Sequence, residues 1–148
     1  MDVMQPNTII STRVIVEHDD KIVLLRRAPS NEFMGSWELP GGTVEPGETI
    51  PEAAVRETRQ ESGLDIELLT DLPHLIDDRK IWDGKHTGAF YKAYGFIGLT
   101  DSLDITLSDE HVDQTWLLPS EALRSPHLTS TSRKAILELG RLLNGWSK

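Results

Sequence analysis

Two β-rich runs open the readable part of the chain. Residues 8–17, TIISTRVIVE, and 21–26, KIVLLR, are separated by the polar turn His18-Asp19-Asp20, the pattern of a hairpin. A polar loop, APSNEFMGS, leads to the short strand WELPGG, which ends in Pro40-Gly41-Gly42. Period two puts Trp37 and Leu39 on one side of that strand, with core packing as their main role. From Thr49 to Ser62 the pattern turns helical. Thr49 and Glu52 fit a capping box, Pro51 falls in the first turn where a missing N–H costs little, and Gly63 is placed to end the helix. Residues 65–70 suggest a strand. Residues 79–82 and 86–99 suggest two more, joined through the hairpin pair Asp83-Gly84. Residues 114–118 read as a strand and 120–124 as a helical turn. Residues 132–143 read as a C-terminal helix with Ala135, Ile136, Leu139, Leu142 and Leu143 on one face and Gly145 as its stop. Phe90, Tyr94 and Phe96 share one parity and belong to a core, whereas Trp82 beside its turn would cap the hairpin, join a dimer contact or stack on a base. Strands and helices alternate in one α/β domain, residues 1–148. Short turns between strands favour a mixed or antiparallel sheet over a doubly wound parallel one.

The segment Gly41 to Leu64, GGTVEPGETIPEAAVRETRQESGL, carries the chemistry. On a helical wheel with Glu57 at zero, Glu61 falls at about 40° and Gln60 at about −60°, with Ile50, Ala53 and Ala54 within about 60° of Glu57. A solvated charged face would set its charges opposite the apolar residues. Here two carboxylates share a face with alanines small enough to let the helix approach the rest of the protein. Such a pair repels itself and resists desolvation, so a cation belongs between them. Oxygen donors clustered this way suit Mg²⁺ or Mn²⁺. On geometry alone a metal site and a solvated or salt-bridged face both stay open. Gly41, Gly42 and Gly47 let the preceding loop turn tightly and bring a backbone carbonyl to the same place. Arg56 lies beside the acidic face, within reach of Glu52 or Glu48, and a structural pairing suits it better than substrate binding.

Composition narrows the partners. Lys and Arg number 15 against 24 Asp and Glu, so 15 − 24 = −9, a balance unsuited to gripping a nucleic-acid backbone. A small phosphorylated ligand remains accessible if a divalent cation intervenes. The absence of Cys excludes disulfide frameworks, thiolate zinc sites and Cys nucleophiles, and the scattered His18, His74, His86, His111 and His127 offer no zinc site. No run approaches the ~18 apolar residues of a membrane span. The start, MDVMQPNTII, has neither the basic nor the apolar region of a signal peptide, which makes the cytoplasm the expected location.

The stretch from Gly42 to Leu64 resembles the Nudix box, G-x5-E-x7-R-E-U-x-E-E-x-G-U with U a bulky aliphatic. Gly42, Glu48, Arg56, Glu57, Glu61, Gly63 and Leu64 match. Thr58 stands at an aliphatic position, and Gln60 replaces the first Glu of the E-E pair. The LLRRA run, the WELPGG approach and SDEHVDQTWL also look like the family, so the likeness extends over most of the chain. It implies a Nudix-like α/β/α sandwich around a central mixed sheet. It also implies Mg²⁺- or Mn²⁺-dependent hydrolysis of a nucleoside diphosphate linked to another group. In that reading Glu57 and Glu61 are metal ligands and catalytic residues, with the Gly41 carbonyl as a further ligand. Gln60 coordinates through its neutral amide oxygen or holds a metal-bound water. Glu48 and Gly42 are structural, and Arg56 supports the catalytic helix through Glu48. A later acidic residue that binds metal or activates water is sought among Asp109, Glu110 and Asp113, with Glu110 favoured. Arg27 and Leu39 are the substrate-side candidates.

Within the family it resembles, a chain without room for a large extra domain implies nucleoside triphosphates, including damaged or non-standard ones, cleaved to monophosphate and pyrophosphate. ADP-ribose, nucleotide sugars and dinucleoside polyphosphates stay open, and no zinc ribbon of the kind carried by NADH-cleaving members is present. The expected partner is a small-molecule nucleotide, with no nucleic-acid polymer and no membrane, and a homodimer stays open. The alternative of another class is a Nudix-like binding or regulatory module with little catalysis, which Gln60 keeps in view.

Overall fold

In a computed structural model, residues 7–29, 35–81 and 88–143 are described. Strand β1 (Thr8–His18) lies at the centre, because its apolar residues alternate between two covered faces. Val14 and Val16 point to one side and Ile15 to the other, each 0% exposed. β1 pairs antiparallel with β2 (Lys21–Arg27) through a turn in which Asp19 and Asp20 both take positive φ, 49° and 68°. Asp tolerates that left-handed backbone, and the two-residue geometry matches the twist of a hairpin. On its other edge β1 runs parallel to β6 (Ala89–Leu99), in unbroken register from Thr8↔Phe90 to Glu17↔Leu99.

The sheet order is β3 (Trp37–Glu38), β2, β1, β6, β4 (Glu67–Leu68), with β5 (His74–Ile81) also on β6 and β7 (His111–Leu117) also on β2. It is mixed: β1–β6 is parallel and the other named pairings are antiparallel. Helix α1 (Ile50–Ser62) covers one face, packing Ala54 with Val14, Val16, Val23, Leu25, Leu64 and Phe96. The short α2 (Pro119–Ala122) and α3 (Ser130–Leu139) cover the other, with Ala122, Ala135, Ile136 and Leu139 against Ile15, Ile22, Leu24 and Ile97. This is the expected α/β/α sandwich.

The ends of α1 follow from its sequence. Thr49 Oγ1 accepts from the Glu52 N–H at 3.2 Å, and Glu52 Oε1 accepts from the Thr49 N–H at 2.8 Å. Gly63 closes the helix in the left-handed region at φ 77°. Thr58, at its unusual position, is fully buried and spends its hydroxyl on the Ala54 carbonyl, 2.8 Å away.

Several boundaries differ from expectation. β5 begins at His74 rather than 79, because Leu75 and much of the strand are exposed and a register shift between Leu75 and Asp77 breaks the alternation. β7 begins at His111 rather than 114, and β4 shrinks to two residues. α3 starts at Ser130 and gives way at Gly140 to one tight 3₁₀ turn, which leaves Leu142 64% exposed instead of on the apolar face. Of the aromatics on β6, Phe96 is core, whereas Tyr94 and Phe90 are only partly buried. Trp82, the Asp83-Gly84 turn, His86 and Gly145 lie outside the described residues.

Candidate active site

The loop after β3 is bonded along β1. Thr12 and Val14 N–H groups donate to the Gly42 and Pro40 carbonyls at 2.9 and 2.8 Å, and the Val44 N–H donates to the Ile10 carbonyl at 2.8 Å. Two glycines make this approach possible. A Cβ on Gly41 (φ 156°) would stand 1.9 Å from the Thr12 carbonyl oxygen. A Cβ on Gly42 would stand 2.5 Å from the carboxyl carbon of Glu57. The glycine loop therefore lies directly against the acidic face of α1.

Together they wall a cavity of about 920 Å³. Gly41, Gly42, Arg56, Glu57, Gln60 and Glu61 all line it. Glu61 is almost fully buried, and its Oε1 accepts from the Gly41 N–H at 3.0 Å. Burial pushes its carboxyl up to about 8, although the Gly41 N–H and Arg13 oppose the shift. Glu57 is raised too, since desolvation outweighs the pull of Arg56.

Arg56 settles the choice left open by sequence: it grips Glu48, while Glu52 is spent in the helix cap. Nε and Nη2 form a two-pronged pair with Glu48, the Nη2 contact being 2.9 Å, and Nη2 also donates to the Thr43 carbonyl at 3.1 Å. The bond with Arg56 holds the Glu48 carboxyl below its usual range. Nη1 donates to Glu57 Oε1 and to Gln60 Oε1, each at 3.0 Å. Since a guanidinium only donates, the Gln60 amide must turn its oxygen to Arg56. The oxygen considered for metal coordination is thus already engaged. Arg56→Ala should leave Glu48 unpaired and untie the loop, lowering stability by about 1–3 kcal/mol. Chemical denaturation checks this, and an unchanged midpoint together with lost nucleotide binding would make Arg56 a substrate residue instead.

Of Asp109, Glu110 and Asp113, Glu110 lines the cavity. Arg27 lines it as well. Leu39 does not: it is 0% exposed within the core on the α3 side, and its expected place on the substrate side is corrected. The wall continues through Arg79, Ile81, Tyr91 and Thr129 to Thr131. The Arg79 guanidinium sits 5.1 Å from the Tyr91 ring centroid. Buried Asp77 accepts from Arg79 Nε at 3.3 Å, Thr131 Oγ1 at 3.1 Å and Lys134 Nζ at 2.9 Å.

Sequence reasoning missed Arg13, Glu38, Arg79 and His111. Glu38, 2% exposed, is the centre of a buried charge network. Its Oε2 accepts from Arg27 Nη1 at 3.1 Å and His111 Nε2 at 2.9 Å, and Oε1 lies 3.6 Å from Arg13 Nη2. Desolvation alone would raise this carboxyl, but Arg13, His111 and Arg27 overcome it and hold Glu38 ionised. The available signal was parity: Glu38 points away from the core side taken by Trp37 and Leu39.

The NUDIX domain pattern matches residues 8–139. The nucleoside triphosphatase NudI of Salmonella agona is 32% identical over 123 residues, covering 80% of this chain and 86% of that protein. An ADP-ribose pyrophosphatase of Methanocaldococcus jannaschii is 54% identical over 50 residues, 34% of this chain and only 29% of the relative's length. In structure, a MutT protein from Methanosarcina mazei Go1 superposes with a TM-score of 0.71 at 24% identity, over 95% of this chain and 98% of that one. With the glycine loop, the Arg56–Glu48 clamp and the acidic helix face assembled on this sandwich, the chain belongs to the NUDIX family and is a hydrolase of phosphoanhydride bonds.

Proposed function

We propose that this protein hydrolyses nucleoside triphosphates to monophosphate and pyrophosphate in a reaction dependent on Mg²⁺ or Mn²⁺. The observation that carries the reading is one cavity joining the carboxylates of Glu57, Glu61 and Glu110 to the guanidinium of Arg27. The triphosphate preference is supported by the relative that matches along most of the chain, which is a nucleoside triphosphatase.

The donor set suits a hard cation, being all oxygen, and the upward-shifted Glu57 and Glu61 are carboxyls that a cation would return to the ionised state. Among the described residues no three Asp, Glu or His side chains form a ready-made metal cage. Glu57 and Glu61 would therefore hold the ion with help from the Gly41 carbonyl and solvent. Such an ion, when bound, neutralises phosphate charge and polarises the attacking water. Arg27 binds and orients a phosphate, fixed in its own place by Glu38. Glu110 accepts the proton as the water oxygen forms its bond to phosphorus and the bridging P–O bond breaks.

The test is product analysis on a panel of nucleoside triphosphates, ADP-ribose, nucleotide sugars and dinucleoside polyphosphates, with Mg²⁺, with Mn²⁺ and with chelator, scoring pyrophosphate from the triphosphates and nucleoside mono- or polyphosphates from the others. Cation-dependent pyrophosphate from a triphosphate supports the reading. Binding without turnover across the panel would favour a binding module.

Gln60 gives a separate prediction. Replacing it by Glu adds a carboxylate where Arg56 Nη1 now meets an amide oxygen. Gln60→Glu should lower the Mg²⁺ concentration for half-maximal rate. A raised KM with unchanged Mg²⁺ dependence would instead show that the amide NH₂ serves the substrate.

A further inference from the structure

We propose that His111 is a positioning residue: bonded to buried Glu38, it fixes the turn that carries Glu110 into the cavity wall. The proposal rests on the reading of Glu110 as the proton acceptor.

The backbone records how the placement is made. β2 and β7 pair regularly through Leu25↔Gln114 and Arg26↔Asp113, and then Arg27 pairs with His111. Val112 is the extra residue of a bulge. Regular pairing would set Val112 opposite Arg27 and move His111 out of this position. Instead Val112 is 55% exposed, whereas the His111 side chain is 0% exposed. Bulges beside active sites re-aim side chains in this way. What holds this one is the imidazole. Glu38 is ionised and can only accept, so His111 Nε2 carries the proton and donates to it at 2.9 Å.

Glu110 immediately precedes this pin. Its carbonyl accepts from the Ala28 N–H at 2.9 Å, its own N–H donates to Ser108 Oγ at 3.3 Å, and the His111 N–H donates to the Ser108 carbonyl at 3.3 Å. The Glu110 side chain itself is exposed and makes no hydrogen bond or ion pair among the described residues, so the aim of its carboxylate depends on where the turn sits. Glu38 also holds Arg27, which lines the same cavity. One buried carboxylate thus sets the spacing between the phosphate-binding Arg27 and the proton-accepting Glu110. Arg13 and Arg27 remain on Glu38 when His111 is replaced, so that carboxylate stays compensated and the fold should survive the change.

The experiment uses full-length wild type, H111L, H111Q, E110Q and H111L/E110Q, with Mg²⁺ and whichever common nucleoside triphosphate is turned over fastest. H111L should lower kcat by about 10–100-fold, the usual effect of losing an orienting partner, with little change in KM. H111Q, whose amide can donate where Nε2 does, should recover most of the loss. In the E110Q background H111L should cost little more, because the two residues act as one unit. Amide exchange at residues 109–112 should quicken in H111L while the melting temperature and exchange in β1 stay near wild type. Unchanged exchange at residues 109–112 overturns the pin, whatever Glu110 does. Independent, multiplying losses in the double variant overturn it too, by making His111 merely structural. Should E110Q alone keep full activity, the reading of Glu110 fails and the positioning role fails with it, although exchange would still report the pin. If H111L does not fold, H111Q and its double with E110Q carry the same comparisons.

Discussion

Glu57→Gln and Glu61→Gln should each cut turnover by several orders of magnitude while leaving the sandwich folded. Both exchanges nearly keep volume and leave one oxygen to accept the bond that each carboxylate now receives, while removing the charge that a divalent cation needs. Losing a good ligand costs several kcal/mol of barrier, at about 1.4 kcal/mol per tenfold in rate. The stability of the cation-free protein should move the other way for Glu61. This carboxyl is pushed up to about 8 by burial, so between the ordinary carboxylate range and that value the folded chain binds a proton that the unfolded chain does not. Stability from this group is present at low pH and lost as pH rises through about 8. Cation-free Glu61→Gln should therefore melt above wild type at pH 8 and converge with it near pH 5. Mg²⁺ should raise the melting temperature of wild type more than that of the variant. Near wild-type turnover in either variant at saturating Mg²⁺ would show the site to be elsewhere.

How much of this was legible depended on whether a residue's job was local. The helix and its loop were readable because capping, helix termination and face assignment are set within a few positions of sequence. Thr49, Glu52 and Gly63 behave as their spacing dictates. The pairing of Arg56 with Glu48 was one of two local options, and the loop's return along β1 selects it. The mixed sheet followed from short connections, but the parallel β1–β6 pairing joins residues about 80 positions apart, which local pattern does not encode. β5 was half missed because a strand with few buried side chains and a register shift between Leu75 and Asp77 lacks a clean alternation.

The substrate side was least readable. Arg27 was noticed for its place at a strand end, but Leu39 shares the strand β3 region with Glu38 and only the folded structure separates the core residue from the buried charge. Arg13, Glu38 and His111 come from β1, β3 and β7, and none is unusual in its own neighbourhood. Their meaning arises from being brought together around a buried carboxylate, which must find donors to stay ionised.

The two glycines of the loop should fail in different ways when given a methyl group. In Gly41→Ala the new Cβ would meet a backbone oxygen at 1.9 Å, with the next contacts also on the β1 backbone. A backbone atom in a central strand cannot move without breaking the ladder around it, and φ 156° is itself unfavourable for alanine. The expected outcome is a loss of about 4 kcal/mol or more, the range reserved for severe steric conflict, with little folded protein recovered. In Gly42→Ala the nearest atoms are the carboxylate of Glu57 at 2.5–2.7 Å, the far end of a side chain that can rotate away. That variant should fold and melt within a few degrees of wild type. Its activity should nonetheless fall towards that of Glu57→Gln, because the displaced carboxylate no longer faces the cavity beside Glu61. Thermal melting and kcat on the same two preparations separate the cases. A Gly41→Ala protein with wild-type stability would refute the close approach of loop and strand, and a fully active Gly42→Ala protein would refute the placement of Glu57.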